Sequence, residues 1–342
     1  MFSLIPRSFG FLLLLSWWTF SQHAIGGTAS GPCQGSEARQ FDFWVGEWDV
    51  LNKYLQEDGS YAEVGNATAR IYPALDGCLI IEHWQGWMRG RPLYGFSMRA
   101  WDQEAGHWTL VLNWPAPARP NFGILTGVFT HGRGEFFSRF NNADGREVWQ
   151  RYSFSDARGD TLRWDAATSE DRQEWRTNWI MEFTRRSPMQ RALLNGPSPE
   201  EGPNLCPGDE FRSFDFLVGE WYGRPHDGEE AADQVVETFA SYPIVRNCAL
   251  LDFVERSDGS KQLRIRSYIA HTNGWVAYLF DTVQRRFRRL QGKAEGKRIE
   301  MEGEDLRVVW IGDDPRKPLR EVYAREGEDW VLQSRAVYTP TP

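Results

Sequence analysis

Glu82 and Asp252 sit in the apolar segments CLIIEHW and CALLDFV, each four residues after a cysteine. A carboxyl group buried in such a strand can have a raised pKa and serve as a general acid or base. The same group paired with a cation is an internal salt bridge, and Arg99 and Arg266 are the cations for that arrangement. Neither acid has a partnered His or a second acid, so the catalytic reading rests on Glu82 and Asp252 alone. A second set of candidates is aromatic. Ser97, Arg99 and Trp101 alternate onto one face of residues 93–101, and Trp108, Leu110, Leu112 and Trp114 onto one face of residues 107–114. Such faces line an apolar cavity with a few directed polar groups, or they fill a core. Arg99, Trp101, Trp108 and Trp114 are therefore the candidate ligand-binding residues.

Other chemistries find little support. The six His, at positions 23, 83, 107, 131, 226 and 271, are scattered, and no two share a strand. No CxxC or close Cys/His pair offers a zinc site, so no metal is expected. Neither repeat described below has a His on a late strand to hold haem, and no cofactor is expected. GxSxG, the phosphate-binding loop and a GxGxxG between strand and helix are missing, which excludes serine hydrolases, kinases and dinucleotide enzymes. With a net charge of −8 and a pI near 5.4, there is no basic field to draw in nucleic acid.

The elements that must position these residues come as a tandem repeat. Cys33–Trp48 reads CQGSEARQFDFWVGEW and Cys206–Trp221 reads CPGDEFRSFDFLVGEW, identical at 11 of 16 positions. Tyr72-Pro73 with Cys78 is matched by Tyr242-Pro243 with Cys248. The chain is thus two copies of one unit, spanning 31–187 and 204–340. The Pro- and Gly-bearing stretch 188–203 reads as a linker. Four cysteines fall at matching places, one pair per copy. Their even number, the symmetry and an export signal together imply the bridges Cys33–Cys78 and Cys206–Cys248.

Residues 1–24 form that signal, with Arg7 before the 12-residue apolar run Phe9–Phe20. A membrane-spanning helix needs about 20 residues, so the run fits a signal peptide better than a span. An uncleaved anchor is the alternative. The expected location is exported, periplasmic or extracellular, with membrane attachment if the segment stays. Beyond it the hydrophobic period is close to two almost throughout, with turn signals such as Asp58-Gly59, Ala105-Gly106, Asp144-Gly145, Asp258-Gly259 and Asn273-Gly274. Eight to ten short strands per copy predict an all-β protein of two tandem antiparallel barrels.

The Phe-Asp-Phe-x-Val-Gly-Glu-Trp segment is consistent with a short helical turn capping one barrel end. The Gly-x-Trp within it resembles the first-strand signature of lipocalins and wider calycins. That resemblance implies that Trp48 and Trp221 plug the barrel floors. Arg176 or Arg185, and in the second copy Arg335, would be their stacking partners. FDFWVGEWDV, the Gly77–Glu82 stretch, Trp101-Asp102 with His107-Trp108, and RWDAATSEDRQEW together resemble the DUF1579 family. That family consists of uncharacterised bacterial proteins with calycin-like barrels, often exported. The likeness covers 39–186 well, while the second copy keeps only the opening motif and its cysteine. It implies a fold and no activity.

Three functions follow as expectations. The first is an exported, non-catalytic binding protein holding a small hydrophobic or aromatic ligand, mainly in the first barrel. The second is an extrinsic subunit of an envelope or membrane assembly, with a protein partner docked on the second barrel. The third is an isomerase, cyclase or hydratase acting on a lipophile. The first copy alone keeps aromatic strand faces, so it is expected to hold the pocket and the second copy to serve as scaffold.

Overall fold

A computed structural model of the chain describes residues 33, 35–116, 119–142, 144–187, 204–226 and 234–341. The expected signal segment 1–24 and the whole of the linker 188–203 lie outside the described residues. Ten strands form the first barrel: β1 (Gly46–Leu55), β2 (Tyr61–Ala74), β3 (Leu79–Met88), β4 (Arg91–Asp102), β5 (His107–Ala116), β6 (Arg119–Thr130), β7 (Arg133–Asn141), β8 (Glu147–Arg158), β9 (Thr161–Ser169) and β10 (Arg176–Ser187). Ten more form the second: β11 (Gly219–Pro225), β12 (Glu237–Ile244), β13 (Ala249–Arg256), β14 (Lys261–Ile269), β15 (Gly274–Asp281), β16 (Phe287–Glu295), β17 (Arg298–Glu302), β18 (Leu306–Ile311), β19 (Leu319–Glu326) and β20 (Asp329–Pro340). Within each barrel every strand pairs antiparallel with the next, and each barrel closes on itself through β1–β10 and β11–β20. Closure leaves no free sheet edge.

The period of two explains which side chains fill each barrel. In β3, Ile80, Glu82 and Trp84 point inward and Ile81 and His83 outward; in β14, Gln262, Arg264 and Arg266 point inward. The first interior is packed with Trp44, Trp48, Trp84, Trp108, Phe136 and Phe183. The second holds Phe214, Trp275, Trp310 and Tyr338.

β4 and β14 depart from alternation, with unbroken buried runs over 95–100 and 262–267. Their outer faces are buried too, because the barrels pack on each other there. Leu79, Ile81, Phe96 and Met98 of the first meet Leu251, Leu263, Ile265 and Phe280 of the second in one apolar cluster. This face has a pseudo-twofold character. Asp76 binds Lys261 at 2.8 Å, and Arg246 lies over the Tyr94 ring at 5.4 Å. Asp76 and Arg246 each stand two residues before a bridged cysteine, and Tyr94 and Lys261 each five residues before the inward Arg99 and Arg266. Matching positions thus exchange matching contacts, as in an isologous dimer. Both disulfides, Cys33–Cys78 and Cys206–Cys248, border this cluster.

Candidate functional site

The closed end of each barrel is built from its opening motif. The 3-10 turns Asp42–Trp44 and Asp215–Leu217 lead into β1 and β11 through Gly46 and Gly219. Their φ angles of 142° and 124° lie where a side chain is strained. Trp48 donates its indole N–H to Trp44 O at 2.8 Å, and Trp221 to Leu217 O at 2.9 Å. Arg185 stacks on Trp48 at 4.0 Å and donates to Val45 O and Phe43 O at 2.7 and 2.9 Å. The second barrel departs from the expected pairing. Pro340 is the residue across from Trp221. Arg335 is out of phase with the inward Ala336 and Tyr338 and binds Glu321 at 2.7 Å.

Glu82 and Arg99 lie inside the first barrel above this floor. Ser97 donates to Glu82 at 2.7 Å, and Arg99 approaches the same carboxylate at 3.3 Å. The Arg99 guanidinium stands 3.9 Å from the Trp44 ring and 4.8 Å from the Phe41 ring. Burial raises the Glu82 pKa, against the opposing pull of Arg99 and the Ser97 hydrogen bond. Asp252 and Arg266 repeat the pair in the second barrel, with Arg266 4.2 Å from the Phe214 ring. Each acid therefore sits in an ion pair held over an aromatic ring of the closing turn.

The structure divides the aromatic candidates between two ends. Trp108 is buried at the closed end, edge-on to Phe41 at 4.8 Å, with its N–H on Gln40 Oε1 at 3.0 Å. Trp101 packs beside it at 6.2 Å and borders a cleft of about 280 Å³ with the Cys33–Cys78 bridge and Arg285. Trp114, six residues along β5, reaches the opposite end, roughly 20 Å away at the usual strand rise.

There it joins a cluster that sequence reading did not assemble. Trp114 meets Trp84 at 5.4 Å and Trp179 at 5.9 Å, Trp164 meets Trp179 at 5.1 Å, and Tyr54 and Tyr152 flank them. Trp84 and Trp164 are buried, whereas Trp114 and Trp179 are partly exposed. Gly95 makes the approach possible: a Cβ there would fall 2.4 Å from the Trp114 ring. Trp179 donates to Asn52 Oδ1 at 3.0 Å. The buried indole N–H groups of Trp84 and Trp114 have no partner among the described residues. Trp84 shares the parity of Glu82 on its strand, which is visible in sequence. That β3, β5, β9 and β10 bring their Trp to one barrel end emerges only from closure and register.

No family model matches the chain, so the DUF1579 resemblance stands without a family match, and no curated protein matches it either. Solved structures do. An S-type phycobiliprotein lyase, CPES from Guillardia theta, is 15% identical over 46% of this chain and 96% of its own, with a TM-score of 0.33. EF1p2_mFAP2b bound to DFHBI is 13% identical over 44% of this chain and 100% of its own, with a TM-score of 0.26. A protein of unknown function from the DUF3598 family of Nostoc punctiforme is 8% identical over 90% of this chain and 100% of its own, with a TM-score of 0.26.

Proposed function

We propose that the chain is an exported binding protein whose first barrel takes a small hydrophobic or aromatic molecule at the end away from its closing turn. The observation that carries this is the Trp84–Trp114–Trp164–Trp179 cluster. It presents apolar ring faces, partial exposure and two buried indole donors without partners. A buried donor left unpaired costs about 1–3 kcal/mol, and a ligand carrying an acceptor relieves that cost. The closed-end candidates Arg99, Trp101 and Trp108 then shape the floor, and Trp114 touches the ligand. Two disulfides suit an oxidising compartment, in keeping with export after removal of residues 1–24. The repeats 31–187 and 204–340 and kinship with DUF1579-like proteins belong to the same reading.

Titration of the full mature chain with a panel of lipophiles, followed by Trp fluorescence and native mass spectrometry, tests the proposal. A saturable shift in Trp emission with a one-to-one mass adduct is the expected result. A first barrel that takes up no member of the panel overturns it. N-terminal sequencing of the native protein tests export, and a mature start at or after Ile25 is expected.

A further inference from the structure

The interior of the second barrel has a different chemistry from that of the first. Strand register places Asp281 where the first barrel has Trp114, Arg320 where it has Trp164, Val254 where it has Trp84, and Arg264 where it has Ser97. The aromatic cluster is thereby replaced by charge. Each carboxylate in this lumen already has its own guanidinium. Asp252 is held by Arg266 and accepts Ser241 Oγ at 2.8 Å. Glu237 is gripped on both oxygens by Arg320, at 2.8 and 2.9 Å, and accepts the Tyr338 hydroxyl. Asp281 is bound by Arg288 at 2.9 Å.

Arg264 is left over. It is 4% exposed. Its Nε lies 3.2 Å from Asp252 Oδ2 without the geometry of a hydrogen bond, and Arg264 donates no hydrogen bond among the described residues. Burial, then the neighbouring Arg266, lowers its pKa to about 9, so it stays a cation at neutral pH. Its one ion-pair partner, Asp252, is already held by Arg266. A buried guanidinium whose hydrogen bonds are unmade is costly, and the group that completes it is a further acceptor carrying negative charge.

We infer that the second barrel is a binding site in its own right, in which Arg264 holds the carboxylate of a small organic monoanion. A single charge is specified because Arg264 is the fully buried guanidinium that must share its carboxylate, Asp252, with Arg266, while Arg256, which shares Glu237 with Arg320, is partly exposed. Asp252 and Glu237 on either side repel a second charge. An organic body is specified because Phe239, Trp310 and Tyr338 form an aromatic wall beside Arg320, with centroids 5.2–5.8 Å apart. The site is independent of the aromatic cluster in the first barrel.

Calorimetric titration of the full mature chain with octanoate and benzoate tests this, with octanol and inorganic phosphate as comparisons. Saturable binding of at least one carboxylate is expected, with octanol and phosphate at least tenfold weaker. Arg264→Gln should weaken carboxylate binding at least tenfold without lowering the melting temperature, and Arg264→Lys should restore part of the affinity. Carboxylate binding that survives Arg264→Gln, or an equal affinity for octanol or phosphate, overturns the inference. So does a marked loss of melting temperature in Arg264→Gln, which would make Arg264 a structural counter-ion for Asp252 and Glu237.

Discussion

The Arg99 guanidinium lies 3.9 Å from the Trp44 ring centroid while it neutralises Glu82 inside the first barrel. One side chain thus ties the closing turn to β3 and β4. Breaking a buried pair by removing one partner typically costs about 3–5 kcal/mol, whereas replacing both with apolar groups is often near neutral. Arg99→Leu is therefore expected to destabilise by about that amount. The Glu82→Leu/Arg99→Leu double variant should recover most of it. Denaturant midpoints of the three proteins check this.

Trp108 and Trp114 share a face of β5 and should nonetheless behave in opposite ways. Trp108→Ala empties a buried position and is expected to cost about 3–5 kcal/mol. Trp114→Ala, at the partly exposed end, should cost distinctly less and weaken lipophile binding at least tenfold. Paired melting and fluorescence titrations separate the two residues. A Trp114→Ala loss as large as that of Trp108→Ala would identify the cluster as filled core.

The two disulfides close loops of 45 and 42 residues in sequence separation. The chain-entropy model assigns each about 4 kcal/mol. Cys206→Ala/Cys248→Ala is expected to lower stability by up to that amount, with reduction of the wild type having the larger effect of losing both bridges. Chemical denaturation with and without reductant measures the difference.

His83 lies on the outer face of the first barrel, with Nε2 3.0 Å from the Tyr72 hydroxyl and its ring edge-on to Phe96. Burial first, and Arg70 second, lowers its pKa from 6.5 to about 4. The unfolded chain then binds the proton more readily, so this contribution to stability is complete above about pH 6.5 and is lost as pH falls towards 4. The loss is on the order of 1–3 kcal/mol. His83→Gln should show a shallower decline in melting temperature between pH 7 and 4.5 than the wild type.

Leu251 and Ile265 belong to the apolar cluster shared by the barrels, each nearly inaccessible. An unpaired carboxylate there is strongly disfavoured. Ile265→Asp should part the barrels while sparing the interiors. Small-angle scattering is expected to show a larger radius of gyration, with the near-ultraviolet signal of the buried Trp retained.

Much of this architecture was legible in the residues themselves. The repeat of CQGSEARQFDFWVGEW and the period of two implied paired barrels, and matching cysteines implied both bridges. The link between Glu82 and Arg99 could be posed as one of two possibilities, because strand parity puts both on an inward face. What was not legible depends on register between distant strands. Trp84, Trp164 and Trp179 lie far apart in sequence and meet only after closure. Arg335 looked suited to stacking on Trp221 until pairing set it out of phase with Tyr338. The outward faces of β4 and β14 carry Phe96, Met98, Leu263 and Ile265, and nothing local in the sequence says that they cover each other.

The exchange of Asp76–Lys261 and Arg246–Tyr94 contacts across the shared face joins two copies whose interiors are free to differ. In a symmetric pair of identical chains, any change to a lumen is made twice. Here the two copies are written separately, so one interior can trade Trp for Asp281 and Arg320 while its twin keeps its indoles. Only the contact between them must still match. The joined chain therefore keeps two differently furnished interiors on one backbone, always present at a ratio of one to one.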